Sequence, residues 1–348
     1  MLAAAVTQGI QVGPSTSQEY VVRLRGCFQQ TATCTGRLAM NEPNLQTVPK
    51  PIEFDTNSSQ QLQLEESENA APPLPPVSLN VRAAFVAPPG CLILSVDYSQ
   101  VELRLIAHLS EDEVLCGTLA KDGQDPFTAM ACMWQKCPID QVTPERRDQA
   151  KHLAYGLLYG MGPNAVAGAL NIRDVRTAAE WQESFLNSMP GVQAWIKRVK
   201  EDCKQTECVK TISGRRRYLP HINSKSHEAR GSAERAAVNT VAQGSAADMI
   251  KTAMVRLHAI LDGPEWAGAA NLVLMVHDEL VYEVRRDRAA DLAALVKLEM
   301  ERAMPLQVPT PVKLSVGLNW GSLESVTLEK LRAEWSVVPG GNEMRTLG

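Results

Sequence analysis

LVLMVHDELVYEV, residues 272–284, sets two apolar runs on either side of His277, Asp278 and Glu279. Such short runs, rich in branched aliphatic residues, are of strand length, and the polar residues between them leave room only for a tight turn. The expected element is an antiparallel hairpin with an aspartate near its tip. A second apolar run, CLILSV at 91–96, reads as a buried strand and delivers Asp97 at its end. SQVELRLIAHL (99–109) then shifts to helical spacing, and further helices are expected over 145–160, 176–204 and 228–261. Strand, helical region, long helix and hairpin in that order predict an α+β fold whose sheet carries acids at its turns.

The 348 residues carry a net charge of −4, with 45% hydrophobic and 21% charged residues. That composition suits a globular chain with a sizeable core. No apolar run is long enough to span a bilayer, and the amino terminus lacks the basic region of a secretory signal. The eight cysteines contain no C-x-x-C pair, and the six histidines have no ligand spacing among them. Structural zinc and a disulfide framework are therefore not expected, and the thiols read as buried and inert. Positive charge clusters at Arg146, Arg147 and Lys151, at Lys197, Arg198 and Lys200, and at Lys210 with Arg215, Arg216 and Arg217. A nucleic-acid partner needs only such local patches, so the net charge excludes nothing. Residues 1 to about 25 have weak periodicity, and the polar, acidic and then proline-rich stretch of about 51–78 reads as a disordered loop.

Asp97 and Asp278 form the first candidate site. Each alone has an ordinary reading: a turn aspartate is common, and Ser99 with Glu102 has the spacing of a helix capping box. Two aspartates on rigid strand ends can instead bridge a pair of Mg²⁺ ions about 3.5–4 Å apart. Mg²⁺ takes a few carboxylates plus substrate phosphates, so two acids suffice. In ERRDQAKHLAYGLLYG, Arg147, Lys151, Tyr155 and Tyr159 step by four along one helix face for roughly 18 Å. Two cations followed by two rings would suit a nucleotide laid along the helix, and equally a plain basic amphipathic face. Gly156 and Gly160 weaken the plain reading, since glycine destabilises a helix interior by about 1 kcal/mol. Arg235, Asn239 and Gln243 repeat the step of four, a stripe of donors suited to minor-groove acceptors shared by all base pairs.

Six stretches, TGRLAMNEPNLQTVP (35–49), DYSQVELR (97–104), RRDQAKHLAYGLLYG (146–160), GRRRYLP (214–220), NTVAQGSAAD (239–248) and VHDELVYEV (276–284), together resemble the motifs of family A DNA polymerases. The resemblance implies a palm with an antiparallel sheet and packed helices at 1–110 and 228–348, and mostly helical fingers at 111–227. It implies a DNA-directed DNA polymerase that adds dNTPs to the 3′ end of a primer–template through two Mg²⁺ ions. Asp97 and Asp278 would hold the metals, with Glu279 as an auxiliary acid. Glu102 would exclude a ribose 2′-hydroxyl. Arg147 and Lys151 would hold the triphosphate, and Lys151 would also pass a proton to the leaving pyrophosphate. Tyr155 would contact the incoming sugar and base, and Tyr159 would sit near the templating base. Arg37, Arg235, Asn239 and Gln243 would grip the minor groove, and His277 the primer end.

Some features depart from the bacterial pattern. Phe127 stands where those polymerases carry a histidine that contacts the triphosphate. With GRRRYLP and the EPNLQTVP wording, it is closer to the eukaryotic theta and nu branch. The resemblance thus points to a repair or translesion enzyme without proofreading, in the nucleus, with an organelle or the bacterial cytoplasm as alternatives. The family's thumb needs more than the 34 residues that precede Thr35. A largely absent thumb, further domains upstream, and a truncated, non-catalytic DNA-binding fragment as the alternative function are the corresponding expectations.

Overall fold

The computed structural model describes residues 10–12, 22–54, 77–121 and 123–335. Its centre is a five-stranded antiparallel sheet in the order β10 (Ala270–Val276), β11 (Glu279–Arg285), β7 (Cys91–Tyr98), β12 (Val312–Gly317), β13 (Glu324–Val326). Short two-stranded pairs accompany it. β1 (Ile10–Val12) pairs with β2 (Val22–Leu24), β3 (Cys27–Gln29) with β4 (Ala39–Asn41), and β5 (Ile52–Phe54) with β6 (Val77–Leu79). The strand β7 (Cys91–Tyr98) is followed by helices α1 (Val101–Ser110), α2 (Glu113–Leu119), α3 (Pro126–Gln135), α4 (Pro144–Tyr159), α5 (Pro163–Ala169), α6 (Val175–Asn187) and α7 (Pro190–Thr206). Then come the paired β8 (Cys208–Lys210) and β9 (Arg216–Tyr218), the 35-residue α8 (His227–Leu261), β10 (Ala270–Val276), β11 (Glu279–Arg285), α9 (Ala289–Glu301), β12 (Val312–Gly317) and β13 (Glu324–Val326). The α+β class expected from the sequence is the one observed. Among the described residues no helix is long and apolar enough to cross a membrane.

β7 lies between β11 and β12, and its Leu92–Val96 run is fully buried. A strand covered on both faces needs a continuous apolar run rather than alternation, which is what CLILSV supplies. Leu92, Leu94, Val96 and Tyr98 pack with α8 and α9, whereas Ile93 joins Ile10, Met40, Phe85 and Trp320 on the opposite face. Successive side chains alternate, so Ser95 and Asp97 share the second face. In β10 a register shift between Leu272 and Leu274 puts Val273 and Leu274 together on that face, as a bulge does.

A separate core joins α1 to α7. α8 serves both: Ala233 to Ala242 pack against these helices, and Ala246 to Leu257 against the sheet. α1 divides likewise, with Val101 and Leu105 toward the sheet and Leu103 and Ile106 toward the helices.

Several expectations are corrected. The helix over 176–204 is two, α6 and α7, broken at Pro190, which lacks an N–H and can only begin a new helix. The loop near 51–78 has paired ends in β5 and β6, and 55–76 lie outside the described residues. Among the eight free cysteines only Cys203 is buried; Cys27 and Cys34 are exposed and the others half-buried.

Candidate active site

The hairpin β10–β11 turns through two residues, His277 and Asp278, with Val276 paired to Glu279. His277 takes a left-handed conformation (φ 56°), a requirement of tight hairpin turns that non-glycine residues meet at some strain. Glu279 lies directly opposite Asp97 in the β11–β7 register, and Tyr98 N–H donates to the Asp278 carbonyl (3.3 Å). Asp97 thereby meets Asp278 and Glu279, about 180 residues later in the chain, at one end of the central strands. Ser95, two residues before Asp97 on the same face, donates its hydroxyl to Glu279 Oε1 (2.6 Å).

Asp97, Asp278 and Glu279 line a cavity of about 420 Å³ together with Arg37, Lys50, Arg82, Gln100, Glu102, Phe127, Tyr155 and His277. The crowding of acids has an electrostatic consequence. Burial, then the Glu279 and Asp278 carboxylates, push the Asp97 carboxyl up to about 6, against a pull from Lys50 and Lys313. Burial also raises Asp278, opposed by Arg37 and His277. Such an accumulation of oxygen donors and negative charge fits a hard divalent cation. Among the described residues no group of three or more His, Cys, Asp or Glu side chains is arranged to hold a metal by itself. Glu279 is drawn to Ser95, and Arg37 Nη2 approaches Asp278 Oδ1 at 3.9 Å. A metal here would rest on Asp97 and Asp278 and complete its shell from outside the protein.

Glu102 is 6% exposed and faces the same cavity. The capping-box reading fails: the N-cap of α1 is Gln100, left-handed and without a side-chain cap bond, and Glu102 instead accepts from Arg37 Nη2. Tyr155 is half-buried, and its phenol is raised first by burial and then by Glu102, Asp278 and Asp97. Its ring lies 5.7 Å from that of Phe127.

The remaining candidates whose side chains are described lie outside the cavity wall. Arg147 is bound through Nε and Nη2 to both Asp125 oxygens (2.8 Å each). Its face is therefore not the free basic stripe that spacing suggested. Lys151 is partly exposed on α4, and the side chain of Tyr159, at the end of that helix, lies outside the described residues. Arg235 is exposed on α8, with Asn239 and Gln243 half-buried further along the same helix. Gly160, with φ +60°, packs its backbone against the Arg235 stem.

Sequence reasoning missed Ser95, Lys50 and Arg82. Arg82 donates Nε and Nη2 to the Val48 carbonyl (3.2 and 3.0 Å) and stacks 4.1 Å from the Trp320 ring centre. Nothing in NVRAAF marks it, because its partners are a backbone carbonyl and a tryptophan far along the chain. The GRRRYLP motif has a structural role: Arg215 donates to Asp248 (3.0 Å), to the Thr35 carbonyl (2.7 Å) and to the Gly244 carbonyl (3.0 Å). Its guanidinium also fills the space a side chain at Gly36 (φ +79°) would need. The segment bearing Arg37 is thereby tied to α8.

The sequence was compared with known proteins. The DNA polymerase I, thermostable, of Thermus filiformis is 41% identical over 298 residues, covering 86% of this chain and 32% of that protein. DNA polymerase theta of Drosophila melanogaster is 34% identical over 304 residues, 86% of this chain and 14% of that protein. The chain thus spans about a third of the length of the bacterial relatives it matches. Among solved structures, the POL domain of Pol1 from M. smegmatis in complex with DNA primer-template and dNTP superposes with a TM-score of 0.73 at 35% identity, over 86% of this chain and 48% of that one. The profile of DNA polymerase family A matches residues 7–322, and on that extent, with a palm-like sheet and mostly helical second body, the chain belongs to DNA polymerase family A.

Proposed function

We propose that this chain carries the catalytic centre of a template-directed DNA polymerase, transferring nucleotidyl groups from dNTPs to a primer 3′ end. The observation that carries the reading is the meeting of Asp97, Asp278 and Glu279 in one cavity with Glu102 and Tyr155. Asp97 and Asp278 would hold two Mg²⁺ ions, which when bound activate the primer hydroxyl and neutralise charge on the phosphates. Phosphoryl transfer otherwise asks mainly for positioning and electrostatics. Arg147 and Lys151 hold the triphosphate, and Lys151 donates a proton to the departing pyrophosphate. Glu102 fills the space of a 2′-hydroxyl beside Tyr155, which contacts the sugar and base. Tyr159 lies by the templating base, and His277 at the primer end. Arg235, Asn239 and Gln243 follow the minor groove, and Arg37 joins it to the gate through its bond to Glu102.

Within this reading the palm comprises 1–110 and 228–348 and the fingers 111–227; most of the helical core lies in that middle stretch, with α1 and the start of α8 packed onto it. A repair or translesion role in the nucleus rests on Phe127, the motif wording and the theta relatives.

Primer extension with Mg²⁺, run beside DNA binding for the wild-type chain, Asp97→Ala and Asp278→Ala, tests the proposal. Wild type extends, and both variants bind primer–template but lose extension by about a hundredfold to a thousandfold or more, as loss of a principal electrostatic element does. Equal binding with no extension by any of the three would replace the enzyme with a DNA-binding fragment.

A further inference from the structure

Asp125 has no place in the site derived above, yet it is the residue that holds Arg147. It caps the amino end of α3: Oδ2 accepts from Thr128 N and Thr128 Oγ1, both at 2.8 Å. The same carboxylate takes Arg147 in a two-pronged grip, Nε on Oδ2 and Nη2 on Oδ1, both 2.8 Å. The guanidinium carbon then stands 5.6 Å from the centre of the Phe127 ring, which is itself 5.7 Å from Tyr155. Phe127 and Tyr155 line the cavity, and Arg147 with Asp125 adjoins Phe127 outside that lining. A continuous set of contacts thus runs from the cap of α3, through Arg147, to the ring beside the acids.

We infer that Asp125 is a positioning residue for the incoming nucleotide, pinning one edge of the Arg147 guanidinium so that its remaining donors are set for phosphate oxygens. This deepens the proposed function and rests on it. A guanidinium has five donors in a rigid fork, and Asp125 uses two of them. An arginine on a free stem loses rotamer freedom when it grips phosphate; one already pinned to a helix cap has lost it before the ligand arrives. Because Asp125 is itself fixed by the α3 backbone, Arg147 is registered to α3 and α4 together, and through Phe127 to Tyr155. The opposite role is a carboxylate decoy that occupies Arg147 until a phosphate displaces it. The two differ in sign, which makes them separable.

Asp125→Asn is the informative variant, because asparagine caps a helix about as well as aspartate while losing the charge and one acceptor for Arg147. Binding of a dNTP to the chain on a dideoxy-terminated primer–template is measured by fluorescence, so no chemistry is required. Nucleotide binding weakens about tenfold, the loss expected of a charge-assisted hydrogen bond, while the thermal midpoint holds. On an ordinary primer, KM for dNTP rises and kcat changes little. In an Arg147→Ala background the same substitution adds no further loss, since both act through one contact. Unchanged or tighter nucleotide binding by Asp125→Asn would overturn the inference and, if tighter, install the decoy. An equal further loss in the Arg147→Ala background would reduce Asp125 to a structural cap. A wild-type chain that binds no nucleotide while folded would instead defeat the polymerase reading, and this inference with it.

Discussion

Glu102 shows how much one side chain can be asked to do. It sits on the first turn of α1, enclosed, yet opens onto the cavity and accepts from Arg37, which also approaches Asp278. A buried carboxylate needs such a partner to remain charged. Its volume beside Tyr155 is what would exclude a 2′-hydroxyl. Glu102→Ala accordingly raises ribonucleotide incorporation relative to deoxyribonucleotide by at least about tenfold, measured by competitive single-nucleotide insertion. An unchanged ratio would remove Glu102 from that role. At this scale much was legible: Asp97, Glu102, Tyr155, His277, Asp278 and Glu279 were all singled out from sequence, and all reach one cavity. Arg147 was legible as a cation but not in its bond to Asp125, because the partner lies on another helix.

Elements meet through single residues that no periodicity reveals. Asp112 is 2% exposed and caps two helices at once. Its Oδ1 accepts from Leu115 N in α2 (2.8 Å), and its Oδ2 from Gly191 N and Val192 N at the start of α7 (2.7 and 3.3 Å). The N-cap residue of α7 gives no side-chain cap, so its first N–H groups are satisfied by a carboxylate some eighty residues earlier. Asp112→Ala leaves buried N–H groups at both helix ends and lowers stability by about 2–4 kcal/mol in urea unfolding. A loss below about 1 kcal/mol would mean that water replaces the cap. The boundary between α6 and α7 was missed in sequence for a related reason. The residue that caps the start of α7 lies far off in the chain, and only the missing N–H of Pro190 marks the stop locally.

The whole molecule imposes a condition that no element carries alone. β7 brings Asp97, the hairpin brings Asp278 and Glu279, and sheet formation forces the like charges together. Burial, and then those like charges, let Asp97 hold its proton in the folded state up to about 6, against 3.8 ordinarily. The native state binds more protons than the unfolded chain in that window, so this group's contribution to stability falls as pH rises from about 4 through about 6. In metal-free buffer Asp97→Asn removes the penalty: its thermal midpoint exceeds wild type above pH 6, and the gap closes toward pH 4. A gap independent of pH would place the strain elsewhere. Divalent metal raises the wild-type midpoint above pH 6 and leaves Asp97→Asn nearly unmoved.

The amino-acid order alone settled the class of fold, the strand ends that carry aspartates, the long α8 and the family motifs. Each of these depends on local periodicity or on residue type at short spacing. Tertiary structure decided which face of the sheet Asp97 shares with Ser95 and Glu279, that Arg147 is held by Asp125, and that Lys50 and Arg82 join the cavity. It also decided that Glu102 serves Arg37 rather than a helix cap. Those outcomes turn on pairs far apart in the chain, where burial and charge neutralisation select the partner and no short-range pattern records the choice.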